Sequence, residues 1–98
     1  MKGYNESLQE LNKLLDEILR ELKKRELEKR YSELIAEYNK KKNELEIYEK
    51  VTERLKERKE YELFDMFVAI YNRKKRELER LKRKIEYIEN EKERMSYL

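Results

Sequence analysis

The sequence predicts an all-α protein built around an antiparallel coiled-coil hairpin. Half of its 98 residues are charged, there is no proline, and the single glycine is at position 3. Such a composition is typical of long, solvated helices. Apolar residues recur in steps of three and four along nearly the whole chain, which is helical spacing, and no segment alternates with the period of a strand. An eleven-residue segment also recurs 33 positions later, which indicates a duplicated helical unit.

The first element is a helix predicted over residues 4–22. Six apolar residues alternate steps of four and three and form one stripe: Tyr4, Leu8, Leu11, Leu15, Ile18 and Leu22. The stripe then stops, because its next positions are Arg25 and Lys29. This phase break separates the first helix from the next apolar stripe.

The next two elements are copies of one unit. Residues 36–46 read AEYNKKKNELE and residues 69–79 read AIYNRKKRELE, with eight of eleven positions identical. Each copy carries its apolar stripe with it, so we predict long helices over 27–57 and 62–95.

Two architectures accommodate the copies. In a hairpin with its tip near 57–62, the numbers of facing residues add to 119, and every stripe position then meets a stripe position, as in Leu34 with Ile85. The tip sequence contains no glycine, proline, asparagine, aspartate or serine and consists of strong helix formers. The alternative is therefore one continuous helix over 27–95 in an extended dimer. In the hairpin, the first helix is expected to fold back beside 27–41, within a single domain of residues 1–98.

The composition argues against an enzyme. The chain has no cysteine and no histidine, which removes the thiol nucleophile, the imidazole acid–base and the usual zinc ligands. One glycine cannot form a phosphate-binding loop. The sequence therefore predicts no catalytic residues, no metal site and no cofactor.

The apolar content also bears on location and assembly. The longest uncharged run, 66–72, is too short to span a bilayer, and no signal-peptide segment follows the N-terminus. We expect a cytoplasmic protein without membrane contact, with a composition like that of thermophile proteins. Because such a polar chain has little to bury, we also expect a homo-oligomer, most simply a dimer.

The densest apolar segment, residues 63–71, is the predicted interface for a second copy or for another protein. It is apolar nearly all round, which is typical of a helix covered on more than one side. The predicted interface residues are Leu63, Phe64, Met66, Phe67, Val68, Ile70 and Tyr71.

A basic run over 73–84 is the candidate contact for nucleic acid. Its twelve residues hold eight cations and two glutamates. At about 100° per residue, its arginines fall on one helix face, directed away from the apolar stripe. The candidate phosphate-binding residues, which we call the arginine stripe, are Arg73, Arg76, Arg80, Arg83, Lys84 and Tyr87.

From these features we predict a non-catalytic, oligomeric coiled-coil protein that acts as a structural or protein-interaction module. A small nucleic-acid-binding protein that uses the arginine stripe is the alternative, since basic faces on coiled coils are often simply solvated. A third possibility is a chaperone-like or inhibitory module whose tip docks on another protein.

Overall fold

Two long helices form the molecule. The computed structural model describes residues 2–97, with side chains from Gly3 onward. Helix α1 spans Lys2–Glu57 and helix α2 spans Tyr61–Ser96. They pack side by side as a hairpin within a particle 87 Å long and 17 by 14 Å across. The predicted all-α class and the antiparallel hairpin are confirmed, and the continuous helix over 27–95 is not formed.

The predicted register is confirmed by contacts that cross between the helices. Lys41 pairs with Glu77 at 3.6 Å, and Tyr31 donates a hydrogen bond to Glu89 at 3.2 Å. Their residue numbers add to 118 and 120, on either side of the expected 119. Buried side chains form the hairpin core, with half-buried residues of α1 packed against them: Leu34, Leu81, Ile85 and Ile88, covered by Leu27, Tyr31, Ile35 and Tyr38.

The lysines within the two apolar stripes make equivalent contacts. Lys41 of α1 pairs with Glu77 of α2 at 3.6 Å, and Lys74 of α2 pairs with Glu44 of α1 at 3.5 Å. Lys74 lies 33 residues after Lys41, and Glu77 lies 33 residues after Glu44, so the two pairs are equivalent with the helices exchanged. Lys74 also lies 5.1 Å from the centre of the Tyr48 ring. The stems of both lysines thus pack in the seam while their amines reach carboxylates at its edge.

A second polar contact joins the two helices near the open end of the hairpin, which is the end away from the turn. The Tyr31 hydroxyl donates to Glu89, and the Lys92 amine lies 4.5 Å from the centre of the Tyr31 ring. The hydrogen bond to Glu89 raises the pKa of Tyr31 above its ordinary value, with smaller contributions from desolvation and the Glu89 charge. The neutral phenol is therefore the form that the hairpin favours.

The structure differs from the sequence prediction at the phase break. Residues 4–22 are helical as expected, but the helix continues through residue 24 to Glu57. The segment 22–30 reads LKKRELEKR, which contains only strong helix formers and no residue that favours a turn. The first helix is therefore the N-terminal part of α1, and it does not fold back along the hairpin.

The turn at the tip forms without glycine. The backbone N–H of Glu60 donates to the carbonyl of Leu55 at 3.0 Å, and that of Lys59 donates to the carbonyl of Lys56 at 3.1 Å. These two bonds are the Schellman pattern, in which the residue after the helix takes a left-handed conformation. Lys59 takes it here, with φ of 58°. The bonds that close the turn thus hold a lysine where glycine is preferred.

Substituting Lys59 by glycine is expected to stabilise the hairpin. A side chain in the left-handed region costs about 1–2 kcal/mol, and glycine avoids this at an entropic cost of roughly 0.5–1 kcal/mol. We expect Lys59→Gly to raise the free energy of unfolding by about 0.5–1 kcal/mol in urea titrations. Lys59→Ala, which keeps a Cβ, is the control and should give no comparable gain. Equal stabilisation by both variants would contradict a strained Lys59.

Candidate interaction surfaces

A row of large apolar side chains lies uncovered on the N-terminal part of α1. All described side chains from Gly3 to Glu26 are exposed. Eight of them are large apolar residues with exposed fractions between 40 % and 68 %, and we call them the N-terminal stripe: Tyr4, Leu8, Leu11, Leu14, Leu15, Ile18, Leu19 and Leu22. Scattered exposed leucines are ordinary, whereas a contiguous row of eight large apolar side chains is typical of an interaction surface.

The N-terminal stripe faces away from α2. Side chains on a helix advance by about 100° per residue, so its positions cluster about 150° from the face formed by Leu27, Tyr31 and Leu34. That face packs into the hairpin core. The phase break is therefore a change of face within one helix. Helix α1 presents one apolar face to α2 and, beyond the open end of the hairpin, a second apolar face to solvent.

Covering the N-terminal stripe with a partner would release free energy comparable to the cost of association. Fully burying a large apolar side chain is worth roughly 1.5–3 kcal/mol. Since these eight are about half exposed, covering them is worth on the order of 6–12 kcal/mol per chain. Two chains that covered each other would gain about twice that, against an association cost of roughly 4–15 kcal/mol. The stripe is thus large enough to hold a partner.

The predicted interface segment, 63–71, is only partly available. Leu63 and Met66 are exposed, with fractions of 45 % and 61 %. The other five predicted residues are half-buried in the hairpin: Phe64, Phe67, Val68, Ile70 and Tyr71. The Phe67 ring, for example, lies 5.9 Å from that of Tyr48. Its role as an interface stays a prediction, and it offers less free apolar surface than the N-terminal stripe.

The arginine stripe is exposed along its whole length, including Lys84 and Tyr87. Its side chains have no ion-pair partner within 4 Å among the described residues. Glu77, the acid within the run that could neutralise Arg73, pairs instead with Lys41. Arg73, Arg76 and Arg80 line one surface pocket together with Glu77. The stripe is therefore a row of cations directed into solvent.

A further cation joins the arginine stripe from the other helix. Arg30 of α1 lines a surface groove with Arg83, Lys84 and Tyr87 of α2. Arg30 is not among the candidate phosphate-binding residues predicted from the sequence, because it lies far from the run 73–84 along the chain. The register that adds to 119 indicates Arg30, because it places residue 30 opposite residue 89, two positions after Tyr87 of the arginine stripe. The basic surface thus spans both helices at the open end of the hairpin.

In the part of the chain from residue 2 to residue 97, no helix is long and apolar enough to cross a membrane. Over the same residues, no group of three or more histidine, cysteine, aspartate or glutamate side chains is arranged to hold a metal ion.

Comparison of the chain with protein-family models, with curated proteins and with solved structures finds no match.

Proposed function

We propose that this chain is a non-catalytic, self-associating coiled-coil module that acts as a structural or protein-interaction element. The observation that carries the proposal is the N-terminal stripe, whose eight apolar residues are exposed on a face turned away from α2. The hairpin supplies a rigid body, and the N-terminal part of α1 supplies the surface that joins it to a partner. A cytoplasmic location stays a prediction from composition.

Sedimentation equilibrium of the unmodified chain tests this proposal. The chain has a mass of 12.4 kDa, so a dimer of twice that mass is readily resolved. We expect a reversible dimer at micromolar concentration, since the free energy gained by covering two stripes exceeds the free-energy cost of association. A mass that stays at that of one chain up to about 100 μM would contradict self-association, because such weak binding is worth less than about 5.5 kcal/mol.

A second candidate function is binding of a nucleic-acid backbone by the arginine stripe. The specific observation is that its cations are exposed and unpaired among the described residues, while Glu77 is held by Lys41. Arginines spaced along one helix face can each grip a phosphate through two N–H groups. Tyr87, which is 64 % exposed, can stack on a base of a single strand.

A salt titration against labelled DNA tests the second function. Neutralisation of four phosphates gives a slope of about −3.6 for log affinity against log salt on duplex DNA. We expect that slope between about 50 and 200 mM salt, and its loss when Arg73, Arg76, Arg80 and Arg83 are all changed to glutamine. The matched control changes four other exposed cations: Lys23, Lys24, Arg25 and Lys29. Equal loss in both variants, or no binding at 50 mM, would make the stripe a solvated face.

A further inference from the structure

The N-terminal stripe is complementary to itself when two copies run in opposite directions. Its six seam positions follow a heptad pattern, with apolar residues at alternating steps of three and four. If facing residue numbers add to 26, each seam residue meets a seam residue of the other copy: Tyr4 with Leu22, Leu8 with Ile18, and Leu11 with Leu15. This is the alternation of seam positions that an antiparallel coiled coil requires.

We propose that two copies of this chain join antiparallel through the N-terminal stripe, in the register in which facing seam residues add to 26. The proposal rests on the self-association proposed above and names the partner and its orientation. The N-terminal parts of the two α1 helices then contact each other, and the two-fold axis of the pair passes beside residue 13. Each hairpin lies at its own end of the assembly, and the two tips point outward.

The residues beside the seam favour this orientation. Near the two-fold axis, Leu14 comes close to its counterpart in the other copy on one flank, and Asn12 comes close to its own counterpart on the other. Leucine against leucine buries further apolar area, and two asparagine amides can exchange hydrogen bonds. Leu14 and Leu19 also make the stripe wider than a bare seam, which increases the area that the partner covers.

A parallel pair would be opposed by charge. In that orientation every residue faces its own counterpart, so the seam would continue into Arg25 against Arg25 and Lys29 against Lys29. Glu21 and Glu26 of the two copies would also be neighbours across the flank. Like charges at such positions disfavour a coiled-coil pairing. In the antiparallel pair the apolar contact ends at Leu22, before these residues.

The hairpin leaves room for the second copy. Helix α2 ends at Ser96, which the hairpin register places opposite Lys23. The N-terminal stripe is turned about 150° from the face that α2 covers, so the partner helix lies on the free side of α1. One chain is 87 Å long, and the overlap of residues 2–24 amounts to about 33 Å at 1.5 Å per residue. The pair is therefore a rod of about 140 Å.

Distances between spin labels on the two copies test the orientation and register. The chain has no cysteine, so Lys13→Cys, Lys29→Cys and Arg58→Cys each introduce one label at an exposed, charged position. Helices in contact lie about 8–10 Å apart. We expect a distance under about 30 Å for the label at residue 13. For residue 29 we expect about 50 Å, because the two labels are separated by about 48 Å along the axis.

Other patterns of distances would overturn the proposal. Short distances at both residue 13 and residue 29 would mean a parallel pair, and self-association would stand while the register failed. A short distance at residue 58 alone would place the interface at the tip, where the antiparallel pair separates the labels by about 135 Å. Absence of any dipolar signal, together with the mass of a single chain in sedimentation, would remove the self-association as well.

Discussion

Leu15→Glu is expected to convert the proposed dimer into a monomer. In the proposed antiparallel pair, Leu15 faces Leu11 of the other copy, and each dimer would contain this contact twice. Enclosing an unpaired carboxylate among apolar side chains costs about 3–5 kcal/mol. This corresponds to a dissociation constant at least about 100-fold larger. Because Leu15 is 48 % exposed in the single chain and glutamate is a good helix former, the hairpin itself should be unaffected.

Met66→Glu is the matched control for Leu15→Glu. It introduces the same charge at an exposed apolar residue, but within the segment 63–71 at the tip. With 61 % of its surface exposed, Met66 should accept the change with little effect on stability or mass. Sedimentation velocity of the two variants at equal concentration distinguishes the two surfaces. A dimer that survives Leu15→Glu and dissociates with Met66→Glu would show that the tip is the interface.

Leu81→Ala is expected to cause a large loss of stability, because its side chain lies in the core of the hairpin. Leu81 is 5 % exposed and belongs to the core cluster with Leu34, Ile85 and Ile88. Removing a buried leucine side chain costs about 2–5 kcal/mol through lost burial and the cavity left behind. For a protein of this size, that is a large part of the total free energy of unfolding. Urea titration followed by circular dichroism measures it.

Leu19→Ala provides the contrast to Leu81→Ala. Leu19 is 63 % exposed in the single chain, so its truncation should cost no more than about 0.5 kcal/mol. Both changes are best measured in a Leu15→Glu chain, in which association does not contribute to stability. In the chain that retains Leu15, Leu19→Ala should instead weaken the dimer. If Leu19→Ala were as destabilising as Leu81→Ala in the monomer, the N-terminal part of α1 would pack against its own hairpin.

The hairpin and its register could be predicted because the same sequence pattern specifies both helices. The 33-residue repeat places Lys41 and Lys74 at equivalent positions, and an antiparallel arrangement brings each to the glutamate of the other copy. Apolar periodicity identifies which residues share a face, and this information is local in sequence. The register then follows from matching one apolar stripe against the other.

The course of the chain at residue 24 could not be predicted from periodicity, whereas matching the two apolar stripes predicted the turn near residue 59. A change of phase is compatible with a turn or with a new face on the same helix, and only the helix-forming residues of 22–30 favoured the second. At the tip, equally strong helix formers surround Lys59, yet the chain turns there. Long-range packing of α2 against α1 outweighs the local cost of a left-handed lysine. Local propensity therefore gave the right answer at one site and the wrong answer at the other.

The arginine stripe was recognised from sequence, but its environment was not. The spacing of its cations follows from the helical period alone. Two features depend on contacts between the helices: Glu77 pairs with Lys41 of α1, and Arg30 of α1 lines a groove with the stripe on α2. The apolar spacing predicts the N-terminal stripe as a helix seam, but the expected fold-back of the first helix beside 27–41 is wrong, and the stripe is therefore left uncovered.

Small-angle scattering of the unmodified chain tests the central claim, that the N-terminal stripe joins two copies, most directly. One curve gives both the mass, from the forward intensity, and the maximum dimension. At concentrations of tens of micromolar, the account predicts twice the 12.4 kDa of one chain and a maximum dimension of about 140 Å. A particle with the mass of one chain and a length near 87 Å, at every concentration measured, would contradict it.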